Sequence, residues 1–213
     1  MKIKSLNLPK VKFSGSSFLF RNEVLDSAEF SDLESAGDYF LGGNTGLTSL
    51  DLPKVKTITD CFLFHNKQLS HITLPSLETV GTSFLCYNDN LSDLSLPNVE
   101  SMGSSFLYNN NRITSLSLPN TTILGDYFLY SNNCITSFSA PKAKRIGNFF
   151  LCSNTSLSSV DLTSVEEIGF NFLSSFCGRM PGSGLPNLKI MGCHKARKGS
   201  TDALSIYDSS VLL

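Results

Sequence analysis

The sequence predicts a solenoid, mainly β, with short parallel strands on one side and turns or short helical turns on the other. Three observations predict it: a constant step of 22 residues between matching segments, a Phe-Leu pair fixed within each step, and apolar-polar-apolar alternation before a recurring proline. A unit of this length has too little apolar surface to fold alone, so the units must stack on one another.

Eight repeats can be counted from a position that is usually proline. We number the repeats 1 to 8 and give other positions as offsets from this one. The Pro position is held by Pro9, Ser31, Pro53, Pro75, Pro97, Pro119, Pro141 and Thr163. A partial ninth repeat, Leu185-Pro186-Asn187-Leu188, comes one residue late. The sequence therefore predicts a solenoid over residues 1–192 and a degenerate C-terminal turn or cap over 193–213.

The apolar positions define one strand and one core. Positions −3 and −1 are apolar and flank a polar residue, which is the period of a half-buried strand, and the following proline ends it. Position +9 is always Phe and position +10 always Leu, and positions +2 and +5 are mostly apolar. The core phenylalanines are Phe18, Phe40, Phe62, Phe84, Phe106, Phe128, Phe150 and Phe172. Stacking brings like positions to about 4.8 Å from one another, as columns.

Two further positions recur for structural reasons. Gly occupies +6 in seven of the eight repeats, which indicates a turn with a positive φ. Asn occupies +13 in seven of the eight, and a buried amide there can bond to backbone groups of adjacent repeats. A ligand site would not recur in this way, so the Asn column is predicted to be structural.

The unit L-x-x-L-x-L-P-x-V-x-x-I-G-x-x-F-L-x-x-N resembles a leucine-rich repeat, and within that superfamily the bacterial BspA-type variant. The resemblance covers residues 3 to about 192. It implies a leucine-rich-repeat solenoid that acts as a non-enzymatic protein–protein interaction module, such as the repeat domain of a bacterial secreted effector that engages a host protein. The alternative is a structural spacer or a cell-surface adhesive repeat array.

Two surfaces are candidates for a protein partner. Positions −4 and −2 face solvent from the strand side and are mostly Ser and Thr. The residues that depart from this pattern are Glu29, Asp51, His71, Asp93 and Asp161. The second candidate surface is an aromatic patch at +11 and +12 on the connecting side, formed by Phe64, Tyr87, Tyr108 and Tyr130. Aromatic residues dominate binding energy at interfaces. We rate the two surfaces as nearly equal candidates for the binding site.

The net charge and the motif content of the sequence restrict the functions expected of this chain. A formal net charge of −1 gives no reason to expect nucleic acid, and no apolar run is long enough for a membrane span. Charges of opposite sign at +1 and +3 should pair between neighbouring repeats, each pair worth under about 1 kcal/mol. No catalytic, phosphate-binding, cofactor or metal motif is present, and the adjacent Cys193-His194 is only a weak nucleophile signal.

Cysteine usage and the chain start bear on localisation. The six cysteines lack a disulfide-scaffold pattern, which favours reduced thiols and a reducing compartment. The chain opens inside its first repeat pattern, which favours a piece of a longer protein. We expect a monomer that is secreted without a classical signal into a host cell or stays in the bacterial cytoplasm, or is displayed on the cell surface if it has been trimmed from a longer protein.

Overall fold

The computed structural model describes residues 2–174, 185–187 and 189–191. Within these ranges the chain forms sixteen short strands and no helix. The cap predicted over 193–213, and Cys193-His194 with it, lies outside them. In chain order the strands are β1 (Ser5–Asn7), β2 (Phe13–Ser14), β3 (Ser27–Glu29), β4 (Ser35–Ala36), β5 (Ser49–Asp51), β6 (Thr57–Ile58), β7 (His71–Thr73), β8 (Thr79–Val80), β9 (Ser101–Met102), β10 (Ser115–Ser117), β11 (Ile123–Leu124), β12 (Ser137–Ser139), β13 (Arg145–Ile146), β14 (Ser159–Asp161), β15 (Glu167–Ile168) and β16 (Ile190–Met191).

The strands predicted at positions −4 to −2 form the first side of the solenoid. They are parallel and in register, as in the pairing of Leu116 with Phe138. This side is interrupted, because β1 pairs with β3, β5 with β7, and β10 with β12 and then β14, as three separate sheets. In repeat 5 residues 93–95 form no strand. The prediction of a parallel-strand solenoid is confirmed, but the strands on the predicted side form three separate sheets instead of one.

A second strand in each repeat was not predicted. Positions +4 and +5 form nine consecutive parallel strands, from β2 to β16, in one uninterrupted sheet. Ile168 pairs with Met191, so the extra residue before Pro186 shifts the ninth repeat without breaking the sheet. The expectation of one strand per repeat was wrong, because a two-residue strand with only its +5 side chain buried is too short to produce an alternating pattern.

The third side, positions +7 to +12, is hydrogen-bonded between repeats without forming strands. Ser83 N–H donates forward to Ser104 of the next repeat across 2.8 Å, whereas Leu85 N–H donates backward to Phe62 across 3.0 Å. This alternation accompanies a left-handed backbone at +8, +10 and +12, where φ lies between 47° and 60° for every described non-glycine residue. Gly43, at +12 of repeat 2, has a φ of 72°.

The core consists of columns of like side chains, as predicted. Rings at +9 in successive repeats lie parallel, and Phe62, Phe84 and Phe106 are 5.5 and 5.3 Å apart between centroids. All three are fully buried. The leucines at +10 and the apolar residues at +2 and +5 pack against them in one continuous cluster. Stacked columns therefore replace the globular core of an ordinary domain.

Two repeats exchange large and small side chains within this core. Repeat 2 has Ala28 at −3 and Phe30 at −1, and Phe30 packs edge-on against Phe40 at 5.3 Å. Repeat 7 reverses the order, with Phe138 at −3 and Ala140 at −1. A close-packed interior requires the total volume to stay constant, so each Phe is accompanied by an Ala in the same strand region.

The glycines at +6 are conserved in the repeats for a reason other than the one predicted. None of them has a positive φ. A Cβ added to Gly103 would lie 2.6 Å from the carbonyl carbon of Gly81, and one added to Gly125 would lie 2.6 Å from that of Gly103. At these glycines the backbones of adjacent repeats approach so closely that an added Cβ does not fit, whereas repeat 3 accommodates Thr59 at +6. The prediction of a positive φ was therefore wrong.

Surface charges pair between neighbouring repeats, as expected. Lys12 lies 2.8 Å from Glu34, and Lys56 lies 3.2 Å from Glu78. Arg145 and Glu167, at +4 on β13 and β15, form a further pair at 2.8 Å. These side chains are well exposed, so each pair adds little stability but aligns one repeat with the next.

Candidate interaction surfaces

The first candidate surface is the strand face, defined as Glu29, Asp51, His71, Asp93 and Asp161. The alternating burial of β5, where Leu50 points inward, places positions −4 and −2 in solvent. Glu29, Asp51, His71 and Asp93 are exposed, and Asp161 is half-buried. The predicted orientation of this face is therefore present in the structure.

The acids of the strand face bond to the repeats beside them. Asp51 accepts a hydrogen bond from the Thr73 hydroxyl at 2.6 Å, and Asp161 accepts one from Ser139 at 3.1 Å. Glu29 accepts one from the Asn7 amide at 2.9 Å. These carboxylates already contribute to repeat alignment, which weakens the case that they are present only for a partner.

The five residues of the strand face do not form one cluster. Glu29 and Asp51 line a groove where β3 and β5 fail to pair. Strand β7 pairs with β5 in a register that sets His71 opposite Ser49 and Thr73 opposite Asp51, so His71 is a diagonal neighbour of Asp51 on this face. Asp93 lies in the repeat that lacks this strand, and Asp161 lies on β14, three repeats further along. The structure thus groups three of the five.

The second candidate surface lies on the third side, where the four predicted aromatic residues are in contact. Phe64 meets Tyr87 at a centroid distance of 5.3 Å, Tyr87 meets Tyr108 at 5.4 Å, and Tyr108 stacks on Tyr130 at 5.1 Å with ring planes 4° apart. All four are half-buried. They form a row along the solenoid axis from repeat 3 to repeat 6.

Two further aromatic residues extend this row. Tyr127 contacts Tyr130 at 6.0 Å and stacks on Phe149 at 4.7 Å with ring planes 5° apart. Tyr127 is 39% exposed, so the extension remains accessible to a partner. We call the whole row the aromatic ridge; its members are Phe64, Tyr87, Tyr108, Tyr127, Tyr130 and Phe149.

A smaller aromatic group lies on the third side nearer the N-terminus. Phe20 and Tyr39 meet edge to face at 5.3 Å. The Arg21 guanidinium lies 5.2 Å from the centre of the Phe20 ring. Gly42 and Gly43 stand at +11 and +12 of repeat 2, so no side chain joins this group to the ridge.

Sequence reasoning missed the aromatic residues at +8. Tyr39, Tyr127 and Phe149 directly precede the core Phe at +9, and their register could have been found in the same way as that of Tyr108. What the sequence does not indicate is the left-handed φ at +8, close to 55° in all three, at a position occupied by bulky residues.

A family model described as the BspA type leucine rich repeat region matches with six copies, over residues 1–89 and 57–179. The chain belongs to the BspA-type leucine-rich-repeat family. A comparison with curated proteins gives no match.

A solved structure agrees with the fold of this BspA-type chain. A leucine-rich repeat protein from Bacteroides ovatus ATCC 8483 superimposes with a TM-score of 0.62 at 22% sequence identity. The alignment covers 89% of this chain and 57% of that protein, so the BspA-type chain spans little more than half of its length. At this identity the likeness concerns the fold alone.

The local environment of the ridge alters the acidity of several groups in the BspA-type repeats. Partial burial, and then the neighbouring Tyr87 and Tyr130, raise the pKa of Tyr108, so it stays a neutral hydroxyl at physiological pH. Hydrogen bonds from the Thr59 hydroxyl and the Asp60 amide lower the pKa of Asp38. The third side therefore presents a neutral Tyr108 together with an ionised Asp38.

The cysteines of the described residues differ in burial, from the buried Cys86 and Cys152 to the exposed Cys134. Burial raises the pKa of Cys86 to about 12, and its Sγ lies 2.7 Å from the carbonyl oxygen of Ser105. Cys61, Cys86, Cys134 and Cys152 are free thiols. In the described residues no group of three or more His, Cys, Asp or Glu could hold a metal ion. Nor does that part of the chain form a helix capable of crossing a membrane.

Proposed function

We propose that the chain is a protein–protein interaction module and that the aromatic ridge is its main binding surface. The ridge is the observation that carries the proposal. The core is already filled by the phenylalanines at +9, and the ridge is a second aromatic column outside it, half-exposed over five repeats. Continuous exposed aromatic surface is the usual mark of an interaction site.

The strand face is the second candidate for the same function. Its serine and threonine columns contain none of the Tyr, Trp and Arg residues that dominate interface energies. Glu29, Asp51 and Asp161 bond to neighbouring repeats, whereas His71 and Asp93 are exposed. A partner on this face would be recognised chiefly through Asp51 and His71, which lie on adjacent strands.

The biological setting that we propose is the repeat domain of a bacterial secreted effector that engages a host protein. Membership of the BspA-type family supports a protein-interaction or adhesive role. Free thiols, including the exposed Cys134, suit a reducing compartment such as a host cytosol. Detection of the protein in the cytosol of host cells infected by its bacterium supports this setting, and its confinement to the bacterial surface contradicts it.

One observation favours the alternative function, a structural spacer or an adhesive array. Ion pairs such as Lys12–Glu34 and Lys56–Glu78 join neighbouring repeats along the surface. Such pairs align and stiffen an array, which is what a spacer requires.

Site-specific photocrosslinking distinguishes these functions. The photoreactive residue p-benzoylphenylalanine is placed at Tyr108 on the ridge, at Asp51 on the strand face, and at Thr79 on β8 as a control. Incubation with host-cell and bacterial lysates should give a discrete adduct from Tyr108. An adduct from Asp51 alone would move the site to the strand face. Equal, diffuse labelling from all three positions would support the spacer.

A further inference from the structure

We propose that the aromatic ridge binds an extended protein segment that carries Arg or Lys at two positions four residues apart. This inference rests on the proposed interaction function and specifies the chemistry of the partner. It follows from the charges of the third side, the bonding of its aspartates, the orientation of the rings and the spacing of the repeats.

The third side carries negative charge around its aromatic residues. Over the segments from +7 to +12 in all eight repeats, the acidic residues are Asp38, Asp60 and Asp126, and the basic residues are Arg21 and His65, of which His65 adds nothing to the formal charge at pH 7. Arg21 lies against the Phe20 ring, away from the ridge. Asp60 belongs to the repeat where the ridge begins, and Asp126 directly precedes Tyr127 within it. The ridge is therefore complementary to a basic partner.

The charge of these aspartates exceeds what the fold requires. Asp60 Oδ1 accepts the backbone N–H of Thr82 at 2.8 Å, and Asp126 Oδ1 accepts that of Asn148 at 2.7 Å. At the same position of repeat 7 the hydrogen-bond acceptor is a neutral amide, since Asn148 Oδ1 accepts the N–H of Phe170 at 3.1 Å. An amide suffices for the repeat contact, so the negative charge remains available for another purpose.

The ring orientations favour Arg and Lys side chains over a neutral sugar. Tyr108 and Tyr130 face each other, as do Tyr127 and Phe149, so these rings cover each other's faces and turn their edges outward. A sugar ring stacks on an exposed aromatic face. The aliphatic stems of Arg and Lys pack along apolar edges while their charged groups reach an acid beyond them.

The spacing of the two acids sets the spacing of the basic residues. Asp60 and Asp126 are three repeats apart, or about 14 Å at the usual separation of stacked strands. In an extended segment, residues i and i+4 point the same way and lie about 13 Å apart. Arg or Lys at i and i+4 can therefore reach both carboxylates, while residue i+2 falls over repeats 4 and 5, which carry Tyr87 and Tyr108. Residues i and i+3 would point to opposite sides.

Fluorescence anisotropy with short synthetic peptides tests this. The probe is fluorescein-labelled Gly-Arg-Ser-Leu-Ser-Arg-Gly, with arginines at i and i+4, titrated with the full chain at low salt. Matched peptides replace both arginines by glutamine, or move the second arginine to i+3. We expect the i, i+4 peptide to bind at least about tenfold more tightly than either, with an affinity that falls as NaCl is added.

Variants of the chain test the site. Asp60→Asn and Asp126→Asn together should weaken binding of the arginine peptide about tenfold with unchanged melting temperature, since asparagine keeps each Oδ1 acceptor. Tyr108→Ser should also weaken binding. Asp51→Asn, on the strand face, is the matched control and should have no effect. Tight binding of the glutamine peptide, an equal loss with Asp51→Asn, or displacement of the probe by a neutral oligosaccharide such as cellohexaose would overturn the inference.

The two proposals fail in different ways. A protein crosslinked at Tyr108 in a chain that binds no arginine peptide would refute the basic segment and leave the interaction module standing. Diffuse labelling at Tyr108, together with no peptide binding, would remove both.

Discussion

The backbone N–H of Asn66 donates to Oδ1 of Asn88, one repeat further along, across 2.9 Å. Asn88 in turn donates its Nδ2 to the carbonyl of Leu63 at 3.0 Å. From Asn66 to Asn154 each amide at +13 thus accepts from one backbone group and donates to another, whereas Asn44 Oδ1 has no partner; Asn66 and Asn88 are fully buried. The same pattern recurs through Asn110 and Asn132. This is the structural role predicted for the column.

Asn88→Ala should be among the most destabilising single substitutions in the chain. It leaves the Asn66 N–H and the Leu63 carbonyl buried without a partner, at a cost of about 2–5 kcal/mol for the two groups together. The control is Asn90→Ala, because Asn90 makes only an exposed bond to the Gln68 carbonyl at 3.3 Å. Urea denaturation followed by circular dichroism measures both. Equal losses from the two variants would contradict a buried amide ladder.

Gly103→Ala tests the close approach of adjacent repeats. The new Cβ would lie 2.6 Å from Gly81 backbone atoms, so neighbouring repeats must separate, and overpacking of this kind costs about 1–3 kcal/mol. Gly15→Ala is a matched control in the same column, since a Cβ at Gly15 meets nothing within 4 Å. The melting temperature should fall for the first variant and stay nearly constant for the second. A similar fall in both would show that the repeats need glycine for its backbone freedom.

Ser105→Gly should stabilise the protein. Ser105 has a φ of 58°, a left-handed conformation that costs an L-residue about 1–2 kcal/mol. Glycine removes that cost, but the greater freedom of the unfolded chain lowers the stability by about 0.4–1 kcal/mol. The difference, a net gain of up to about 1.6 kcal/mol, should raise the urea midpoint. Ser115→Gly, in strand β10, should lower the midpoint, and stabilisation by both variants would contradict the assignment of strain to position +8.

The stacked fold could be predicted because every repeat must satisfy the same packing constraints, so the same residue types recur at the same positions. The Phe column that includes Phe62 and Phe84 is visible in the sequence, since like side chains must bury one another. The second strand could not be predicted, because Thr57–Ile58 and its equivalents have only one buried side chain. The glycine column was recognised, but sequence alone does not separate a positive φ from a close backbone approach, such as that between Gly81 and Gly103.

The candidate surfaces could be predicted only in part. The offsets placed Tyr87, Tyr108 and Tyr130 in one row because they follow the core Phe at a nearly fixed distance. Tyr127 and Phe149 directly precede the core Phe and could have been found from the same register, but the left-handed φ at +8 and the contact of Tyr127 with Tyr130 required coordinates. Ring orientation and the hydrogen bonds of the aspartates depend on three-dimensional contacts and required coordinates.

The thiols should alkylate in an order set by burial and acidity. Burial raises the pKa of Cys86 to about 12, so at pH 8 almost none of it is thiolate, the reactive form. Cys134 is exposed. With iodoacetamide at pH 8, peptide mass spectrometry should show Cys134 modified first and Cys86 only after urea unfolds the chain. Because the pKa of Cys86 is raised to about 12, a change from pH 7 to pH 9 should still leave folded Cys86 unmodified. Rapid modification of Cys86 in the folded protein would contradict its place beneath the aromatic ridge.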